Sequence, residues 1–152
     1  MNIFIQVVGA FAAAVALSII FHIPKKLIFA VGTVSSLGWL CYLLCLFRVN
    51  IVFATFFASL LVALLANVFA KTLHTPTTVI MIPGLLPMVP GVSIYRVVYY
   101  LLHNESELVR HYLVETLQIV AMIVFAILII ETVFRILANL AFKKLYNSYK
   151  HR

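Results

Sequence analysis

Thr75-Pro76-Thr77-Thr78-Val79-Ile80-Met81-Ile82-Pro83-Gly84-Leu85-Leu86-Pro87-Met88-Val89-Pro90-Gly91 holds four of the chain's five prolines and two of its five glycines. Pro83, Pro87 and Pro90 fall within eight residues and do not fit one uninterrupted helix, because each interior proline removes a backbone hydrogen bond and costs roughly 3 kcal/mol. The flanks are nevertheless as apolar as a membrane span. Lipid tolerates non-helical backbone only where protein or a water-filled cavity satisfies the freed polar groups. The stretch therefore reads as a broken span whose break lines an internal site.

Thr75 is expected to cap a first half-helix with Pro76 at its first position. Pro83-Gly84 should end it, and Pro90 should start a second half-helix close to halfway between Pro76 and Leu102, near the membrane midplane. The first free amides there would be those of Gly91, Val92 and Ser93, and such N–H groups at the positive end of a helix dipole favour a carboxylate or other anion. Arg96 follows between one and two turns later, and a cation inside a span needs a partner or a ligand. Tyr95 adds a neighbouring hydroxyl. Pro83, Gly84, Pro87, Pro90, Gly91, Ser93, Tyr95 and Arg96 are thus the candidate binding residues. The alternative for Arg96 is an ion pair with Glu115 or an outward reach to the interface.

Composition fixes the class around this stretch. With 65% hydrophobic residues, 10% charged residues and a mean hydropathy of +1.17, the chain is too apolar for a soluble domain. It reads as an all-α polytopic membrane bundle, one transmembrane domain over residues 1–152. Five stretches approach the span length of about 20 residues: 3–21, 27–47, 51–70, the broken 76–102, and 112–138, before a basic tail at 139–152. The first lacks a basic amino-terminal region, and the next apolar stretch follows after only His22-Ile23-Pro24-Lys25-Lys26. It is expected to be retained rather than cleaved.

The basic residues set an expected orientation. With the amino terminus outside, Lys25, Lys26, Lys71, Lys143, Lys144, Lys150 and Arg152 lie on the cytoplasmic side and only Arg48 and Arg110 in external loops, as the positive-inside rule requires. The tail, with Tyr146 and Tyr149 among its cations, then reads as an anchor on anionic lipid rather than a nucleic-acid site.

Pairs of small residues four apart, Gly9 with Ala13, Ala12 with Ala16, Gly32 with Ser36, Ala54 with Ala58 and Ala66 with Ala70, are expected where helices approach closely. Other chemistry is sparse. There is no Asp, the five histidines fall at loops or helix ends, and no phosphate-binding Gly-rich loop followed by Lys and Ser or Thr occurs. An enzyme, an ATP hydrolase and a metal site are not expected, and no cofactor is implied. Cys41 and Cys45 read as small apolar fillers. Glu131 and Arg135, four apart, are read as a structural ion pair. Glu115 is a candidate protonation site or counter-charge. Asn67 and Gln118 are expected to make interhelical hydrogen bonds.

The pattern His74-x-Pro76, then Ile82-Pro83-Gly84-x-x-Pro87-x-Val89-Pro90-Gly91-x-x-x-Tyr95, with Phe21-x-Ile23-Pro24 after the first span, resembles the threonine/serine exporter (ThrE) family. It is most similar to the small subunit of the split, two-gene form, over nearly the whole chain. The resemblance implies a secondary exporter of the inner or plasma membrane acting with a separately encoded larger membrane subunit. It also implies export of threonine and serine, or of a dicarboxylate such as succinate in some split pairs. Relative to the one-piece exporters the chain corresponds to the carboxy-terminal half and lacks the soluble amino-terminal domain.

An odd span number adds its own argument. Two homologous five-span halves in sequence must insert in opposite orientations, which is the inverted-repeat plan of many transporters. Two function classes stay open, a transport subunit and a non-transporting scaffold for a membrane partner.

Overall fold

The computed structural model describes the backbone of residues 2–150 and the side chains of residues 2–140. It is all-helical: α1 (Ile3–Ile20), α2 (Lys25–Leu46), α3 (Ile51–Thr72), α4 (Thr77–Leu85) with a 3-10 turn at Leu86–Met88, α5 (Gly91–Leu102) and α6 (Ser106–Lys150). Among the described residues, α1, α2, α3 and the 106–140 part of α6 are long and apolar enough to cross a membrane. The α4–α5 pair forms one further span if it crosses, bent by 49° at its break.

Helix α3 is the hub because its inward face is made of small side chains. Ala54, Ala58, Val62, Ala66 and Ala70 recur every four residues and are buried, as are Thr55, Ser59, Ala63 and Asn67 on the adjoining row. In lipid, where apolar side chains gain little by leaving one apolar phase for another, such closeness supplies the dispersion contacts that hold helices together. α2, α4 and α6 all pack on this face. Gly38 of α2 sits where a methyl group would overlap the side chains of Val62 and Met88.

On α1 the buried row is Ala10, Ala14 and Ser18. The expected Gly9/Ala13 and Ala12/Ala16 pairs lie exposed on the opposite side. Both rows have four-residue spacing, and spacing alone does not choose between them. Gly32 fits the expectation, its α-carbon pressed against the Phe11 ring.

The reversals between α1 and α2, α3 and α4, and α5 and α6 share one construction. His22, His74 and Asn104 take positive φ of 54°, 49° and 57°. The next residue's amide closes each turn onto a carbonyl five back: Ile23 onto Ser18, Thr75 onto Ala70, Glu105 onto Tyr100. Asn and His enter this left-handed region more readily than most residues with a Cβ. Two of the five histidines are therefore turn residues. Between α2 and α3, Asn50 caps the next helix through a 3.1 Å bond from the Phe53 amide.

The proline-rich stretch is cut elsewhere than expected. Pro76, not Thr75, occupies the cap position of α4, and Thr75 makes no side-chain capping bond. Pro83 and Gly84 do not end the helix; α4 runs through them. Pro83 forfeits a single hydrogen bond near the helix end, and Gly84 faces Val34 and Val62, where even an added methyl group would make only ordinary contact. The break falls at Val89–Pro90. Val89 is extended at φ −62°, ψ 132°, as steric conflict with a following proline ring demands. Pro90 at φ −75°, ψ 57° centres an inverse γ-turn closed by a 2.7 Å bond from the Gly91 amide to the Val89 carbonyl.

Candidate functional site

The break is partly covered: Pro90 and Ser93 are buried, while Val89 and Gly91 are exposed. Pro87, Pro90, Gly91 and Ser93 border a cavity of about 150 Å³ whose other walls are Trp39 and Tyr42 of α2, Ile51 and Thr55 of α3, and Ile119 of α6. That volume matches a dry engineered cavity known to accept a six-carbon ring, so it suits a solute of about six to eight heavy atoms. The cavity lies level with the first turns of α3 rather than its middle, so the break sits nearer the α2–α3 loop than the expected midplane.

The donors and acceptors here follow from local structure. Because the Gly91 amide is taken by the γ-turn and that of Ile94 by the Pro90 carbonyl, Val92 and Ser93 are left with amides that reach no backbone acceptor among the described residues. Only two of the three expected free amides are therefore available. The Thr55 hydroxyl donates back to the Ile51 carbonyl at 2.8 Å, leaving its lone pairs. Ser93 is the buried residue of α5, and its hydroxyl donates to Glu115 Oε1 at 3.4 Å. The other oxygen of Glu115 is 3.9 Å from His111 Nε2.

Glu115 stands between this cavity and a wider, open one of about 500 Å³ bordered by Asn50, Arg110, His111 and Gln118. Gln118 thus faces a cavity and makes no interhelical bond among the described residues. Ile51 borders both spaces.

The candidate residues divide on this geometry. Pro87, Pro90, Gly91 and Ser93 meet at the cavity. Pro83 and Gly84 are buried against α2 and α3, on the packing side of α4. Tyr95 and Arg96 are exposed and do not border the cavity. Arg96 pairs with no carboxylate among the described residues; its guanidinium lies over the Tyr112 ring, 5.1 Å from the centroid. The reason is register. α5 leads out of the bundle along α6, and Tyr95, Tyr99, Tyr100 and Tyr112 form a chain of ring contacts with centroids 5.3–6.1 Å apart, in the manner of an interfacial aromatic belt.

Two further expectations are corrected. Glu131 and Arg135 do not come within ion-pairing distance; the cation near that level is Lys71, 4.3 Å from the Phe134 centroid. Asn67 bonds the Ala63 carbonyl of its own helix at 3.0 Å rather than a neighbouring one. The side chains of the basic tail from residue 141 lie outside the described residues. Trp39, Tyr42 and Thr55 went unnoticed in the sequence because each sits in an apolar span and only the fold brings them to the break.

Four long apolar helices with a proline-broken pair whose first half is packed among them, and a polar-edged cavity at the break, define a polytopic helical membrane protein of the transporter kind. Residues 6–133 match the family model of the threonine/serine exporters, ThrE, and the chain belongs to that family. The family is one of transporters, not enzymes. Neither comparison with curated proteins nor comparison with solved structures returns a match.

Proposed function

We propose that this chain is the subunit of a secondary exporter that binds a small carboxylate-bearing metabolite at the α4–α5 break and passes it out of the cell. The observation that carries this reading is the pairing of two free amides at the start of α5 with a carboxylate one hydroxyl behind the cavity wall, Glu115, which accepts from Ser93 at 3.4 Å. The amides of Val92 and Ser93 suit the solute carboxylate. Glu115, through Ser93, supplies a negative partner for an ammonium group. No Lys or Arg borders the small cavity. This charge pattern supports an α-amino acid of the size of threonine or serine over a dicarboxylate such as succinate, whose second carboxylate would meet Glu115.

The reading includes an outward amino terminus and a cytoplasmic carboxy terminus, an inverted-repeat arrangement, and a larger membrane subunit of the same family as partner. The exposed small-residue face of α1, formed by Gly9, Ala12, Ala13 and Ala16, favours a close helix contact with that partner. The same face is what a non-transporting scaffold would use.

The test is efflux of labelled threonine, serine or succinate from preloaded cells, comparing a deletion strain with one that carries this chain and its larger partner. Faster efflux of one solute in the complemented strain supports transport and names the substrate. Equal efflux of all three, with both proteins in the membrane and co-purifying, supports the scaffold.

A further inference from the structure

Glu107, His111 and Glu115 follow one another at four-residue spacing, so they share one face of α6. Their exposure falls along that face: the side chains are 90%, 68% and 21% accessible. The series starts in open solvent, passes along the wide cavity and ends on the Ser93 hydroxyl at the break. We propose that Glu115 is the proton-carrying carboxylate of the transport cycle and that this face of α6 is its route to water. The inference rests on the transport reading above.

The chemistry follows from what surrounds Glu115. On α6 its titratable neighbour is His111; Arg110, across the wide cavity, is turned to Glu107 at 4.0 Å. From α5 it meets Ser93, and from α2 the Tyr42 phenol lies within Coulombic reach. The nearby α3 residues are Asn50, Ile51 and Thr55, none of which titrates. Apart from the imidazole, no cation of the described residues lies within ion-pairing distance of this carboxylate, so its charge is available either to a proton or, through the Ser93 hydroxyl, to the ammonium group of a solute. Those two compete for the same negative charge. A proton arriving from water at His111 Nε2 and passing to Glu115 Oε2, 3.9 Å away and within reach of one bridging water, displaces the ammonium. Deprotonation by the same route restores the site. Mutual exclusion at one carboxylate is the condition for exchanging a proton against a solute. Imidazole suits the relay because its ring nitrogens can both donate and accept a proton.

The test uses membrane vesicles from cells that carry the full chain with its larger partner, assayed for threonine counterflow and for threonine movement driven by an imposed pH gradient. Glu115→Gln keeps the size and the acceptor for Ser93 but carries no proton. It is expected to raise the threonine concentration needed for half-maximal counterflow, to remove the pH dependence of the counterflow that remains, and to lower gradient-driven movement by at least about tenfold. Glu115→Asp is expected to restore part of the gradient response, which a packing role would not, since Asp is the poorer fit. His111→Gln is expected to flatten the pH profile. A Glu115→Gln protein that answers the pH gradient as the wild type does overturns the inference and leaves the transport reading intact. Loss of counterflow at saturating threonine in both Glu115 variants, at normal membrane abundance, also overturns it in favour of a structural role. A wild-type protein with no counterflow of threonine, serine or succinate overturns the transport reading and this inference with it.

Discussion

The inner part of the bundle and the α5–α6 hairpin are built from opposite materials. Where α2, α3 and α4 meet, small Ala, Gly, Val and Ser side chains interleave with Ile80, Met81, Leu85 and Met88, drawn close enough that Gly38 has no room for a methyl group. The hairpin carries Tyr, Arg, His and Glu among its apolar residues, and α5 buries only Ser93. The first region gains its stability from close dispersion contacts between helices. The second is held by a few ring and charge contacts worth about 1 kcal/mol each or less. The cavity lies at the seam, with a rigid wall on one side and a lightly held one on the other. A transport site needs that asymmetry, since the elements that move must come from the less stable part of a structure.

Substitutions in the two regions should therefore separate stability from transport. The largest effect is expected for Gly38→Leu, which forces a side chain between Val62 and Met88 and should destabilise the protein by about 3 kcal/mol. Thermal unfolding in detergent reads it, and an unchanged melting temperature would mean that the inner contacts are looser than drawn. Pro90→Ala comes next. It frees the γ-turn and lets Val89 return to helical geometry, so efflux should fall about tenfold, some 1.4 kcal/mol of barrier, while the melting temperature moves little. A large drop in melting temperature instead would make the break a stability element.

Asn50→Ala removes the cap of α3 and is expected to cost about 1 kcal/mol, again read by melting. Arg96→Gln should be the mildest, losing a cation–π contact of about 0.5–1 kcal/mol and leaving efflux nearly unchanged. A loss of efflux as severe as that of Pro90→Ala would return Arg96 to the solute. Trp39 offers a check without mutation. It is the chain's one tryptophan and its ring borders the cavity, so threonine binding should shift its emission. Emission unmoved by a solute that the protein exports would place the binding site elsewhere.

Much of the architecture is legible in the sequence because hydropathy and breaker residues are local signals. The stretches at 3–21, 27–47 and 51–70 correspond to α1, α2 and α3 within a few residues at each end. The interrupted stretch does contain a break. Which proline makes it was not legible. Pro83, Pro87 and Pro90 carry the same intrinsic cost, and the outcome is settled by burial of α4 against Val34 and Val62, a tertiary fact. The candidate site was half legible for a similar reason. Pro87, Pro90, Gly91 and Ser93 are adjacent in sequence and stay together in space. Arg96 is three residues beyond Ser93 yet leaves the cavity, because α5 turns out of the bundle along α6. Trp39 and Tyr42 look like ordinary span residues until the fold brings α2 to the break.

The three reversals closed by His22, His74 and Asn104 make stiff corners, whereas the Val89–Pro90 joint is spanned by one γ-turn bond. Of these four joints among the described residues, the one held by a single γ-turn bond is therefore the natural hinge of the chain. α5 extends about 18 Å from that hinge at 1.5 Å per residue, so a swing of about ten degrees carries Leu102 roughly 3 Å sideways, a displacement of the kind small hinge motions produce. Its base at Ser93 would move far less. A given change of angle is thus felt most at the far end of the hairpin and least at the cavity beside the pivot.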